Sequence, residues 1–326
     1  MFLYGMNIEV QRMDKKKLTG NLFLLLTALI WGLAFVAQRV GMDYVGPLTF
    51  TAIRFWLGAS VLLPILYIMN KKEAQALKDN EGTIAPLTPE QKSKDRKSLM
   101  IAGGTCGTVL FVASILQQYG LVFTTAGKTG FITALYIVLV PVAGLFLKQR
   151  PGIQCWIGVA IGTAGLYFLT ITESFTIAWG DFVVLIGAFF WAAHVLSIDH
   201  FNPYVNSIKL ALTQFIVCAS WSTIGMLIFE RPTLDAILGG AVPILYAGVL
   251  SCGGGFTFQI LGQKHTSPTV ASLILSMEAV FGAIFGFLIL TEIMSGRELA
   301  GCILMFAAVI ISQLPEKKKQ IDQETL

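Results

Sequence analysis

The sequence predicts an all-α polytopic membrane protein whose ten transmembrane helices form two inverted five-helix repeats. Three observations predict it. Of 326 residues, 55% are hydrophobic and only 13% charged, with a mean hydropathy of +0.72, whereas an average soluble domain has roughly 25% charged residues. Apolar runs of 18 to 24 residues follow one another along the chain, each long enough to cross about 30 Å of hydrocarbon as a helix. The third observation is that the first half resembles the second when the chain is shifted against itself.

Residues 1–19 form a polar segment with Arg12, Lys15, Lys16 and Lys17 ahead of the first apolar span at 20–39. A signal peptide also begins with basic residues, but this run exceeds the roughly 7–15-residue apolar region of such peptides and nine more follow, so it reads as retained. The second span covers 47–69, and the polar stretch 70–98, with seven basic residues from Lys71 to Lys97, reads as a linker. The third to fifth spans lie at 99–122, 126–147 and 153–171. The second half holds spans at 179–198, 206–229, 238–261, 268–291 and 297–314, before a polar tail at 315–326. The short alternating stretches of a membrane β-barrel are absent, so helices must satisfy the backbone within the bilayer.

Charge placement sets an expected topology. With the N-terminus inside, the inner loops and tails hold the clusters above together with Lys148, Arg150, Lys209, Lys264 and Lys317 to Lys319. The outer side holds only Arg39, Lys128, Arg231 and Arg297. This asymmetry places both termini in the cytoplasm, and an even number of spans agrees with it. The five cysteines all fall within spans without paired ligand spacing, and read as small packing residues.

A shift of 160 residues sets Trp31 on Trp191, Tyr44 on Tyr204, and FTAIRFWLGAS at 50–60 on LALTQFIVCAS at 210–220, so that Arg54 meets Gln214. Further along, a shift of 142 pairs Gln117 with Gln259, Gly120 with Gly262 and Ile132 with Ile274. The longer linker after the second span accounts for the change of 18 between the two shifts. Five spans is an odd number, so the second copy, 179–314, enters the membrane opposite to the first, 20–171. Inverted repeats of this kind place a site near the midplane between the copies.

Four stretches carry a family resemblance: WGLAFVAQR ending the first span, AIRF in the second, QQYGL at 117–121 leading into AGKTGFITALYIVLVP at 126–141, and SLILSMEAVFGAIFGFLILTE at 272–292. In order and spacing they resemble the EamA-type, ten-span branch of the drug/metabolite transporter superfamily. The resemblance implies two inverted five-helix bundles around a central cavity, and export or exchange of small polar metabolites. Two departures stand out: Ala279 follows Glu278 where the family often has proline, and Lys148-Gln149-Arg150 ends the fourth span where the family has an acidic residue.

Ionisable groups at the bilayer centre cost about 2.5–3.5 kcal/mol on insertion scales, which marks them as functional or paired. Glu278 lies near the middle of the ninth span and reads as a proton-coupling or cation-binding carboxylate; Arg54, in the second, reads as a holder of an anionic substrate group. The alternative is that the two satisfy each other as a structural pair. Trp31, Phe35 and Gln38 fall at i, i+4 and i+7 on one helix face, suited to a cavity wall that meets flat apolar and hydrogen-bonding parts of a ligand. Gln38 and Arg39 close that span at the outer surface, with Gln38 continuing the face toward an outward vestibule. Trp191 and His194 occupy the symmetric face of the sixth span, while Gln117 and Tyr136 add hydrogen-bonding capacity. Gly158 and Gly162 suit close helix packing, and Gly253, Gly254 and Gly255 mark a bending point in the eighth span.

An enzyme reading rests on His194 and Asp199, whose spacing resembles that of acyltransferases with a histidine base. Five residues apart on a regular helix, the two diverge by about 140°. No nucleotide loop, acidic metal cluster or G-x-S-x-G is present. The expectation is therefore a carrier in the inner or plasma membrane that exports a small organic metabolite or drug-like compound by alternating access, with the proton as the expected coupling ion and with no catalytic residues, metal or cofactor. Its partners are a small-molecule substrate and the lipid bilayer, not nucleic acid; the oligomeric state stays open. An organophosphate or nucleotide-sugar exchanger, or a membrane-embedded acyl or glycosyl transferase, are the alternatives.

Overall fold

The computed structural model describes residues 2–79, 88–124, 126–170, 178–290 and 295–314. The tail from 315 with its Lys317 to Lys319 cluster, and the centre of the linker at 80–87, lie outside the described residues. The first half comprises α1 (Phe2–Gly41), α2 (Pro47–Asp79), α3 (Pro89–Val122), α4 (Ala126–Ala134), α5 (Tyr136–Phe146) and α6 (Ile153–Thr170). The second comprises α7 (Trp179–Phe201), α8 (Ser207–Phe229), α9 (Leu234–Gly239), α10 (Ala241–Leu245), a π-helical segment (Tyr246–Phe256), α11 (Thr257–Gln263), α12 (Pro268–Leu275), α13 (Glu278–Leu290) and α14 (Gly296–Ser312).

Eight helical segments among the described residues are long and apolar enough to cross a membrane. The shorter α6 and α14, of 18 and 17 residues, pack along each other, with Gly158 and Gly162 facing Ala308. Helix starts follow local chemistry: Thr88 and Gln91 close a capping box at α3, Asn206 caps α8, and Ser295 with Glu298 caps α14. The outer surface is apolar, with Phe146 85% and Phe229 79% exposed, which in a membrane protein is a lipid-facing surface.

Three stretches expected to be single helices are interrupted. The stretch 126–147 breaks at Leu135 between α4 and α5, and 268–291 breaks at Ser276 and Met277 between α12 and α13. At each break an N–H falls back to the carbonyl three residues earlier: Leu135 to Ile132 at 3.2 Å and Met277 to Ile274 at 3.1 Å. The Ser276 hydroxyl also donates to the Leu273 carbonyl at 2.8 Å, a local competitor for the helical ladder. The stretch 238–261 divides into α9, α10, the π-helical segment and α11, with Gly253, Gly254 and Gly255 inside the widened turn.

The two halves interleave. The most extensive contacts all cross between them: α6 with α14, α3 with α7 and α8, α2 with α8 and the π-helical segment, α1 with α13. Two crossings bring backbones together over glycines. A Cβ at Gly20 would lie 2.9 Å from the Gly262 carbonyl oxygen, and one at Gly120 would lie 2.9 Å from that of Gly180. The five cysteines are free thiols, four of them buried in this packing.

Candidate functional site

Where the interrupted helices meet α1, α2, α3 and α7, a narrow cavity of about 30 Å3 forms, below the 300–1,000 Å3 usual for small-molecule sites. It is lined by Trp31, Phe35, Gln38, Arg54, Gln117, Thr133, Tyr136, Trp191, Ser251, Phe256 and Glu278. The spacing of Trp31, Phe35 and Gln38 does put all three on the face of α1 that forms its wall. Gln38 is buried rather than at the surface, whereas Arg39 is exposed and pairs with Asp43 at 3.2 Å.

Gln38 organises one end of the cavity. Its side-chain oxygen accepts from Arg54 Nη1 at 2.9 Å and from Gln117 Nε2 at 3.4 Å, while Gln118 Nε2 donates to the Gln38 backbone carbonyl at 3.2 Å. Arg54 is 3% exposed, its guanidinium 5.1 Å from the Phe55 ring centroid and 5.6 Å from that of Phe50. No carboxylate among the described residues lies within ion-pair distance of it, and its Nε has no hydrogen-bond partner. A buried cation without a counterion is costly, and an anionic group entering the cavity would remove that cost.

Glu278 and Tyr136 organise another part. Each is the first residue of the second piece of an interrupted helix, α13 and α5 respectively. The Tyr136 hydroxyl donates to Glu278 Oε1 at 3.0 Å, and Glu278 is 2% exposed. Arg54 and Glu278 therefore share the cavity without pairing; each takes a neutral partner instead.

Between these groups lies an aromatic cluster. Phe256, at the end of the π-helical segment, sits 4.7 Å from Trp31 and stacks on Trp191 at 5.9 Å, while the two Trp rings are 6.3 Å apart. Trp31 Nε1 donates to the Ser251 carbonyl at 3.4 Å. His194 does not line the cavity. It lies behind the wall, edge-on to Trp191 and Phe256, with Nε2 3.1 Å from Gln214 Oε1. Asp199 bonds Gln149 Nε2 at 3.0 Å, so His194 and Asp199 have separate partners. Among the described residues no three His, Cys, Asp or Glu side chains gather as a metal site would need. Thr133, Ser251 and Phe256 escape the sequence reading; only the glycine run before Phe256 hints that this backbone comes close to something.

The EamA-like transporter family model matches residues 18–171 and again residues 178–313. The chain belongs to the EamA-like transporter family. It is 30% identical over 304 residues to an uncharacterized transporter of Archaeoglobus fulgidus, covering 92% of this chain and 87% of that protein. It is 26% identical over 302 residues to the uncharacterized transporter YoaV of Bacillus subtilis (90% and 96% covered). With the uncharacterized inner membrane transporter YedA of Escherichia coli K12 it shares 23% over 301 residues (90% of each). A crystal structure of a protein 17% identical aligns with a TM-score of 0.69 over 90% of this chain and 96% of that one, a likeness of fold. Family and helices together make the chain a multi-pass membrane transporter of small molecules.

Proposed function

We propose that this transporter moves a small organic metabolite bearing a carboxylate out of the cell, by alternating access of two inverted five-helix repeats at 20–171 and 179–314. The observation that carries the reading is the shared cavity, lined from the first half by Arg54, Gln38 and Gln117 and from the second by Trp191, Phe256 and Glu278. Arg54 holds the anionic group, Gln38 and Gln117 orient it, and Trp31, Phe35, Tyr136 and Trp191 enclose the rest. Arg54 is the one cationic side chain among the lining residues, which favours a carboxylate over the more highly charged organophosphates.

Ten spans result when α6 and α14 cross beside the eight longer segments, which puts both termini in the cytoplasm as the charge asymmetry requires. The inverted repeat draws support from residues that touch their own counterparts. Shifted by 160, Trp31 meets Trp191 and Phe55 meets Phe215, and these rings lie 6.3 and 5.8 Å apart. Shifted by 142, Tyr136 meets Glu278, its hydrogen-bond partner at 3.0 Å. The same shifts turn the Gly20–Gly262 crossing into Gly180–Gly120, and the break at Leu135 into that at Met277. A two-fold axis brings equivalent residues together in this way, and interrupted helices at corresponding positions accompany midplane sites in inverted-repeat transporters.

Glu278 is the coupling group, taking up a proton as the cavity changes sides. The membrane is the cytoplasmic one, in keeping with the inner-membrane relative. The test is transport in liposomes of the metabolite whose distribution shifts most between cells with and without the gene. Glu278→Gln should lose stimulation by a pH gradient yet retain counterflow; stimulation equal to that of the unaltered chain would refute the coupling role.

A further inference from the structure

We infer that His194, Gln214 and Gln259 form a second, weaker polar half-site for the same solute, with the Gln214 amide N–H facing its carboxylate, closed off here behind Phe256 and reached from the opposite face of the membrane. The inference rests on the alternating-access reading above. The two sequence shifts carry the polar end of the cavity onto this second cluster: Arg54 corresponds to Gln214 and Gln117 to Gln259. None of the three lines the cavity, and their exposures are 0% for His194, 0% for Gln214 and 1% for Gln259. They come from adjoining elements, since α11, which carries Gln259, packs against both α8 and α7.

Their hydrogen bonding is incomplete. His194 Nε2 and Gln214 Oε1 satisfy each other at 3.1 Å, but His194 Nδ1, Gln214 Nε2 and Gln259 Oε1 are buried without partners. A buried polar group left unpaired costs about 1–3 kcal/mol, and native interiors leave few. Three such atoms on adjoining helices, one donor and two acceptors, suit groups whose partner arrives in another conformation. The cavity side has the same character, with Arg54 Nε, Gln117 Oε1 and Thr133 Oγ1 unpartnered.

Phe256 separates the two layers. Its ring touches Trp31 and Trp191, which line the cavity, and also His194 and Phe215, at 6.1 Å each, which do not. When the halves exchange conformations, the layer behind Phe256 opens as the Arg54 layer closes. The chemistry is deliberately unequal: a guanidinium on one side is replaced by an amide on the other. Of the three unpartnered atoms only Gln214 Nε2 is a donor, and its one neutral hydrogen bond to a carboxylate is weaker than a charge-assisted one, so the solute is held on the Arg54 side and released past Gln214.

Cysteine accessibility tests this without knowledge of the solute. Gln117→Cys, Gln214→Cys and Gln259→Cys are exposed to a charged, membrane-impermeant methanethiosulfonate in right-side-out and inside-out vesicles. Modification of each position is read by peptide mass spectrometry, with the five native cysteines as background. The expected result is that Gln117→Cys is modified from one face, and Gln214→Cys or Gln259→Cys at least tenfold faster from the other. Modification of both second-half cysteines from the same face as Gln117→Cys overturns the half-site. So does protection of both over the time in which Gln117→Cys reacts fully. If Gln117→Cys is itself inert from both faces, the cavity reading fails and takes the half-site with it.

Discussion

Arg54 is held 3% exposed among Phe50, Phe55 and Gln38, with an amide oxygen where a structural ion pair would have a carboxylate. Removing it should therefore damage ligand binding more than folding. Arg54→Gln, which copies the second half's Gln214, is expected to raise the half-saturation concentration about tenfold or more, since hydrogen bonds to charged groups contribute about 1.5–3 kcal/mol. Accumulation of the variant in the membrane should stay near normal; a variant that fails to accumulate would contradict this. A second residue prediction concerns Gly255, where a Cβ would lie 2.6 Å from Trp31 Nε1. Gly255→Ala should drive Trp31 from its bond to Ser251 and reduce transport, with Gly254→Ala, whose nearest contact is 3.8 Å, as the tolerated control.

Most of the cavity wall was legible residue by residue. Trp31, Phe35 and Gln38 announce a common face through their spacing, and Arg54 and Glu278 stand out because charge is expensive at membrane depth. Phe256 was not legible, because a phenylalanine within an apolar run carries no positional signal until the π-helical segment fixes which way it turns. His194 carried a polar signal of the right kind, but sequence cannot distinguish a group lining a cavity from one directly behind its wall.

Among elements, the breaks in the helices were the least visible in sequence. Neither Leu135 nor Met277 is flanked by the glycine or proline that usually marks an interruption, and Pro141 lies within α5 rather than at its start. What ties them together is equivalence under the 142-residue shift, which comes from comparing the halves and not from local propensity. Another contact across elements is Glu230, at the end of α8, whose carboxylate accepts from the Leu48 and Thr49 amides at 2.9 and 2.8 Å and from the Thr49 hydroxyl at 2.6 Å. It caps the N-terminus of α2 from the other half of the chain, where a negative charge also suits the helix dipole. Glu230→Ala should cost about 1–2 kcal/mol and lower the thermal unfolding midpoint in detergent. An unchanged midpoint would mean that water caps α2 equally well.

For the whole molecule, composition, run length and charge asymmetry gave the all-helical membrane architecture directly, because hydrocarbon leaves so few ways to satisfy a backbone. Interleaving of the halves was less accessible: a repeat in sequence says that two units are alike, not that α3 packs on α7 and α8 or that α1 packs on α13. The cavity is lined by residues of both halves, so under the proposed inverted-repeat mechanism a relative rotation of the halves would open one end while closing the other. The most direct measurement uses paired spin labels and pulsed electron resonance distances in lipid nanodiscs. One pair, Asp43→Cys with Asp235→Cys, reports the end at which α1 and α8 finish; the other, Arg150→Cys with Lys264→Cys, reports the opposite end. Alternating access predicts two distances at each end, with a shift of pH that lengthens one pair shortening the other. A single distance at both ends, unmoved by pH, would contradict it.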